Sequence, residues 1–193
     1  MKIGIDLDGV VFDSEMTFRV YEEIFDILNL KGNNLVDRNE PKMQHRYNWT
    51  KEQEDDYRQL YYRIVSKESG FMAGFLPVYK LLREWGHEFV VITARGAQVR
   101  EMKHDAEILL KKFGVEFDKY YWFEEDKLEV CKKENIDYMI DDDWHIIKKL
   151  TDSHIKTIYF RNAGTKSLRE NEFVKQVDNW GDVLRFFANF RKN

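Results

Sequence analysis

The sequence predicts an α/β protein: a parallel sheet with helices on both faces, plus a small all-helical insertion after the first strand. Three observations carry this. From residue 88 onward, short apolar runs alternate with helical patterns, the mark of a parallel sheet. A further buried-strand pattern, "KIGIDLD", opens the chain. Between the two, residues 15–75 show helical periodicity and no convincing strand. The expected division is residues 1–14 with 76–193 for the α/β core, and 15–75 for the insertion.

The elements follow in order. In "DSEMTFRVYEEIFDILNLKG", Val20, Ile24, Ile27 and Leu28 recur at helical spacing, and Gly32 suits the stop. Residues 33–49 are polar, include Pro41 and read as a loop. Thr50 and Gln53 form a capping box that opens a helix through about Lys67. "GFMAGFLP" is a break, and Pro77 fits the first turn of a helix that runs to Trp85 and ends at Gly86. "EFVVITAR" is then a strand, 98–113 a helix ended by Gly114, "KYYWF" a strand and 126–135 a helix. "DYMIDDD" is a strand, 144–152 a helix, "IKTIYF" a strand, and about 181–190 an amphipathic helix that packs Val183, Leu184, Phe186 and Phe187 on the sheet.

Composition narrows the function classes. Of 193 residues, 43% are hydrophobic and 15% aromatic, enough to build a core and to exclude a disordered chain. With 31 basic and 35 acidic residues the formal charge is −4, which argues against a nucleic-acid polymer as partner. No apolar run reaches the roughly 18 residues of a membrane span. The single cysteine, Cys131, reads as structural; it permits no internal disulfide and fits a reducing cytoplasm. The five histidines are scattered, without zinc spacing.

In an open parallel sheet, ligands bind beyond the carboxyl ends of the strands. Those ends read Asp6-Leu7-Asp8-Gly9, Thr93-Ala94-Arg95-Gly96 and Asp141-Asp142-Asp143. Parallel strands bring all three to one edge, so carboxylates far apart in sequence converge. Converging carboxylates repel and are costly to bury unpaired. A divalent cation removes the conflict, and an oxygen-only set favours Mg²⁺.

"DLDGVVFDS", "VITARG", a lysine and "MIDDD", in that order across residues 6–142, resemble the four motifs of the haloacid dehalogenase-like superfamily of phosphohydrolases. The resemblance implies a Rossmann-like core and a Mg²⁺-dependent phosphomonoesterase with an aspartyl-phosphate intermediate. By it, Asp6 is the nucleophile. Asp8 protonates the leaving oxygen, then deprotonates the hydrolytic water, and offers its main-chain carbonyl to the metal. The Thr93 hydroxyl and the Ala94 N–H hold the phosphoryl oxygens. Lys127 best fits the third motif; Lys132 and Lys133, further along the same helix, read as solvated. Asp141 and Asp142 join Asp6 and Asp8 as the metal set, with Asp142 the expected direct ligand. Asp143 suits the start of the next helix. Arg95 is either a phosphate contact or a surface charge.

In this superfamily an insertion between the first and second motifs is a cap that closes over the phosphate and reads the leaving group. The insertion here is rich in rings, among them Phe18, Tyr21, Phe25, Tyr47, Trp49, Tyr57, Tyr61 and Tyr62. Most are expected to pack a helical bundle, leaving one or two to stack on a nucleobase. The chain as a whole resembles the bacterial nucleotidase branch near the 5'(3')-deoxyribonucleotidases, which implies a (deoxy)nucleoside monophosphate. Its second motif reads Thr-Ala-Arg where the deoxyribonucleotidases carry Thr-Ser-Pro. The alternatives are another small phosphomonoester, a sugar phosphate or phosphoglycolate-like compound, and a non-catalytic binding protein on the same scaffold.

Overall fold

The computed structural model describes residues 1–40, 42–162 and 165–191, so Pro41 lies outside the described residues. Six strands form one sheet: β1 (Lys2–Ile5), β2 (Glu88–Thr93), β3 (Lys119–Trp122), β4 (Tyr138–Asp141), β5 (Thr157–Phe160) and β6 (Val174–Val177). All neighbours are parallel, in the order β3-β2-β1-β4-β5-β6. The expected strands are all present. β6 was not legible because it is a short edge strand, "VKQV", in which Lys175 is exposed and Gln176 half-buried.

Eight helices complete the described chain: α1 (Ser14–Leu30), α2 (Met43–Arg46), α3 (Lys51–Glu68), α4 (Phe75–Glu84), α5 (Glu101–Lys112), α6 (Lys127–Glu134), α7 (Trp144–Asp152) and α8 (Trp180–Ala188). β2 shows why helices cover both faces of the sheet. Phe89 and Val91 enter a core with Leu82 of α4, Ala106 of α5 and Phe187 of α8. Val90 and Ile92 point the other way, into a core with Val130 and Cys131 of α6 and Leu150 of α7. The Thr50–Gln53 capping box forms as the sequence predicts. Residues 33–49 are not all loop: α2 lies within them, and Leu35 pairs with Tyr47 in an isolated bridge.

The helices α1, α2 and α3 are inserted between β1 and β2. Phe25, Met43, Tyr47, Trp49 and Tyr57 form their own buried core. The helical spacing in α1 is as expected, but its buried face is not. Val20, Ile27 and Leu28 are exposed, whereas Glu22, Phe25 and Asp26 are buried. The reason is local. α1 turns rings toward α3, and its buried Asp26 accepts hydrogen bonds from Trp49 Nε1 (2.8 Å) and Asn34 Nδ2 (2.9 Å). A hydrogen-bonded carboxylate at the inner face displaces the aliphatic stripe to the outside.

Two adjacent chain segments join the insertion to the sheet: Met72 N–H donates to Val11 O (2.8 Å) and Asp13 N–H to Gly70 O (2.9 Å). An Arg63–Asp105 ion pair (3.0 Å) then ties α3 to α5.

Candidate active site

The sheet order reverses direction at β1. From β1 the chain-order neighbours run one way through β2 and β3, and the other way through β4, β5 and β6. Such a switch point leaves a crevice beyond the strand ends. Asp6 follows β1 directly, and its N–H donates to Ile140 O (3.0 Å) on β4. Asp141 ends β4 itself. The two acids therefore flank the crevice.

Lys127 opens α6 and is buried there. Its Nζ lies 2.6 Å from Asp141 Oδ2 and 3.1 Å from Asp6 Oδ2. Burial works against the ammonium, but Asp141 and Asp6 outweigh it and hold the Lys127 pKa above the ordinary lysine value. Lys132 and Lys133 are exposed on the same helix.

Side-chain oxygens of Asp6, Asp141 and Asp142 lie within 4.8 Å of one another. Burial pushes all three carboxyls up, Asp141 to about 7, although Lys127 pulls Asp6 and Asp141 back. Asp6 Oδ1 is buried and has no hydrogen-bond partner. Asp141 is already engaged at both oxygens, by Lys127 and by the Asp143 N–H (2.9 Å). An oxygen-only set with more negative charge than its one lysine neutralises, and with an orphaned buried oxygen, fits a hard divalent cation such as Mg²⁺. Asp143 caps α7, accepting from His145 N–H (2.8 Å).

Thr93 ends β2 and is buried, its Oγ1 accepting from the Arg95 N–H (3.2 Å). Together with Asp6, Asp8 and the exposed Ala94, it lines a cavity of about 210 Å³. Arg95 is not a surface charge, and it lines the same cavity. It is buried, its Nη1 pairs with Asp8 Oδ1, its Nη2 donates to Ser66 Oγ on α3 (2.9 Å), and its Nε donates to Met102 O (3.2 Å). The structure thus assembles all the predicted site residues at one edge, with the Asp8 side chain paired to Arg95.

Two site residues were missed. Asn162 follows β5, donating to Asp142 Oδ2 (2.8 Å) and to Gly9 O (3.1 Å). Its one signal is its place just beyond a strand end. Gly9 has φ +70°, and a Cβ there would meet Asp142 Oδ2 at 2.1 Å. His45 and His145, scattered in sequence, come together with Glu40. The Glu40 carboxylate there already pairs with Lys166 at 2.6 Å. Cys131 is buried, and burial pushes its thiol up to about 12, as befits a structural residue.

A second cavity, of about 450 Å³, shares Asp6 and Ala94 with the first, adds Lys127 and Asp141, and opens toward the insertion. Its insertion side is polar and charged, with Glu15, Glu22 and Arg46. Most rings of the insertion pack on each other, as Tyr47 stacks on Trp49 at 4.4 Å and Phe25 meets Trp49 edge-on at 5.0 Å. Phe18 and Tyr62 line both cavities.

No protein-family model matches the chain, and no curated protein does. Solved structures do. A haloacid dehalogenase-like family hydrolase from Streptococcus pneumoniae superposes with a TM-score of 0.71 at 14% identity, over 96% of this chain and 97% of that one. The fold is the haloacid dehalogenase-like fold. A protein from Clostridium acetobutylicum described as a predicted phosphatase shares it, with a TM-score of 0.65 and 16% identity over 97% and 98% of the two chains. So does one from Haemophilus somnus described as a predicted phosphoglycolate phosphatase, with a TM-score of 0.64 and 12% identity over 95% and 96%. Among the described residues, no helix is long and apolar enough to cross a membrane.

Proposed function

We propose that the chain is a Mg²⁺-dependent phosphomonoesterase that works through an aspartyl-phosphate on Asp6. One observation carries the reading: a buried Asp6 with a free oxygen, set against Lys127 and two further acids at the sheet's switch point. Asp6 attacks phosphorus, the bond to the ester oxygen breaks, and Asp8 gives that oxygen its proton. Water then attacks the phosphorus of the acyl phosphate and loses its proton to Asp8. The phosphorus–oxygen bond to Asp6 breaks, releasing phosphate and restoring the carboxylate. Thr93 and the Ala94 N–H hold the phosphoryl oxygens. Mg²⁺ supplies neutralisation of phosphoryl charge when bound; Asp6, Asp141, Asp142 and the main-chain carbonyl of Asp8 would hold it.

Residues 15–75 act as the cap, closing the phosphate site to water and selecting the leaving group. The polar cavity lined by Glu15, Glu22 and Arg46 supports a small hydrophilic leaving group, as in a sugar phosphate or phosphoglycolate-like ester. The phosphoglycolate phosphatase description of the Haemophilus neighbour supports the same class. A (deoxy)nucleoside monophosphate is the second reading. It rests on Phe18 and Tyr62, the two rings that line both cavities.

Phosphate release from a panel of sugar phosphates, phosphoglycolate and nucleotides, with and without Mg²⁺, tests this. Turnover of a compact polar ester above all nucleotides is expected, and Asp6→Asn should abolish it while the protein stays folded. Silence of the wild type across the panel would sink the reading, and preference for nucleotides would reverse its order.

A further inference from the structure

Arg95 is buried at the boundary between core and insertion, and its contacts run both ways. It grips Asp8 Oδ1 through Nη1 and Ser66 Oγ of α3 through Nη2, at 2.9 Å. Two further contacts fix the guanidinium itself: Nε donates to Met102 O (3.2 Å), and the Phe12 ring lies 5.0 Å beneath. A guanidinium held this way fixes the place of the Asp8 oxygen it meets. Asp8 keeps 29% of its side-chain surface, on the cavity shared with Asp6, so only part of it is committed to Arg95.

We propose that Arg95 is a positioning residue for the second half-reaction, and that α3 must be docked for it to act. The inference rests on the phosphatase reading above. Once Asp8 has given its proton to the leaving oxygen, it is a carboxylate. The structure shows the Asp8 carboxyl group held by Arg95 at Oδ1 while Ser66 holds the other arm of the fork. Fixed there, Asp8 takes the proton of the water that attacks phospho-Asp6, the phosphorus–oxygen bond to Asp6 breaks, and phosphate leaves. Without Arg95 the Asp8 carboxylate swings free, and hydrolysis of the acyl phosphate slows while its formation does not. Ser66 makes the device sensitive to the insertion: moving α3 away takes one anchor from the fork.

Steady-state kinetics and acid-quench trapping of the phosphoenzyme, on p-nitrophenyl phosphate and on an alkyl phosphate, test this. Arg95→Met is expected to lower kcat roughly 10²-fold, the low end of acid–base catalysis, equally on both substrates. KM should fall in parallel, kcat/KM should hold, and phosphoenzyme should accumulate behind a burst of p-nitrophenol. Arg95→Lys should restore part of kcat, and Ser66→Ala should give a smaller loss of the same kind. A merely structural role would lower kcat and kcat/KM together without trapped phosphoenzyme, and that result overturns the proposal. So does an Arg95→Met enzyme with wild-type kcat, or a Ser66→Ala enzyme without any effect. Circular dichroism and thermal melting identify variants that fail to fold, in which case Ser66→Ala, which strands no buried charge, decides. A wild type that never forms phosphoenzyme sinks the phosphatase reading instead.

Discussion

The Lys127 ammonium and the Asp141 carboxylate form a buried ion pair at 2.6 Å. Asp6 stands on the other side of the same ammonium, 3.1 Å away, so one cation serves two buried acids. Such a group is worth far more in place than its net attraction suggests, because its removal strands the charges it faced. Lys127→Met should therefore destabilise the metal-free protein by about 3–5 kcal/mol, while Lys127→Arg keeps the charge and loses less. Urea unfolding of both variants, without divalent cations, measures the difference. Equal stability of wild type and Lys127→Met would mean that the acids are neutral in the fold.

Among the described residues, no such cation pairs with the third acid of the group, Asp142. Its pKa is raised well above normal by burial first, then by Asp141 and Asp6. Neutralising it should relieve that repulsion, so Asp142→Asn is expected to be more stable than wild type without metal. The opposite holds with metal. Mg²⁺ at a hundredfold its dissociation constant should stabilise wild type by about 2.7 kcal/mol, and Asp142→Asn should lose most of that gain. Thermal melts over a Mg²⁺ series test both halves, and a Mg²⁺ shift unchanged in Asp142→Asn would remove Asp142 from the metal set.

Gly9 couples this acid to the turn after β1. Its φ of +70° strains any side chain, and the space a Cβ needs is held by Asp142 Oδ2 at 2.1 Å and Asn162 Nδ2 at 2.6 Å. Gly9→Ala is thus expected to cost about 1–2 kcal/mol from the backbone alone. It should also displace Asp142 and weaken Mg²⁺ binding. Isothermal titration of Mg²⁺ reads the second effect apart from the first, and unchanged affinity would show that Asp142 does not move.

How much of this was legible depends on how local the signal is. Strand ends, capping boxes and the Asp6, Thr93 and Asp141 positions are written in short runs, and β1, β2 and β4 put them where the runs imply. β6 and Asn162 carry no run of their own; only pairing with β5 and contact with Asp142 define them. Arg95 could not be placed either, because its two partners, Asp8 and Ser66, come from separate elements. The buried face of α1 was misjudged for a related reason. Periodicity locates a stripe, but Glu22 and Asp26 lie inward only because Arg46 and Trp49 reach back to meet them.

Glu22 is the clearest pH-sensitive group of the insertion. Arg46 Nη1 lies 2.6 Å from it, but the same guanidinium also serves Glu15 at 2.9 Å. Burial, only partly offset by Arg46 and increased by Glu15, raises the Glu22 pKa from 4.5 to about 8. Between those values the folded chain binds more proton than the unfolded one, so this contribution to stability is full below about 4.5 and declines as pH rises through about 8. From about pH 6 to about pH 9 the decline should be on the order of 1–3 kcal/mol. Glu22→Gln, which stays neutral, should flatten it and be the more stable protein at the alkaline end. Urea titrations at the two pH values, followed by tryptophan fluorescence and circular dichroism, compare the slopes. A variant as pH-dependent as wild type would place the proton elsewhere than on Glu22.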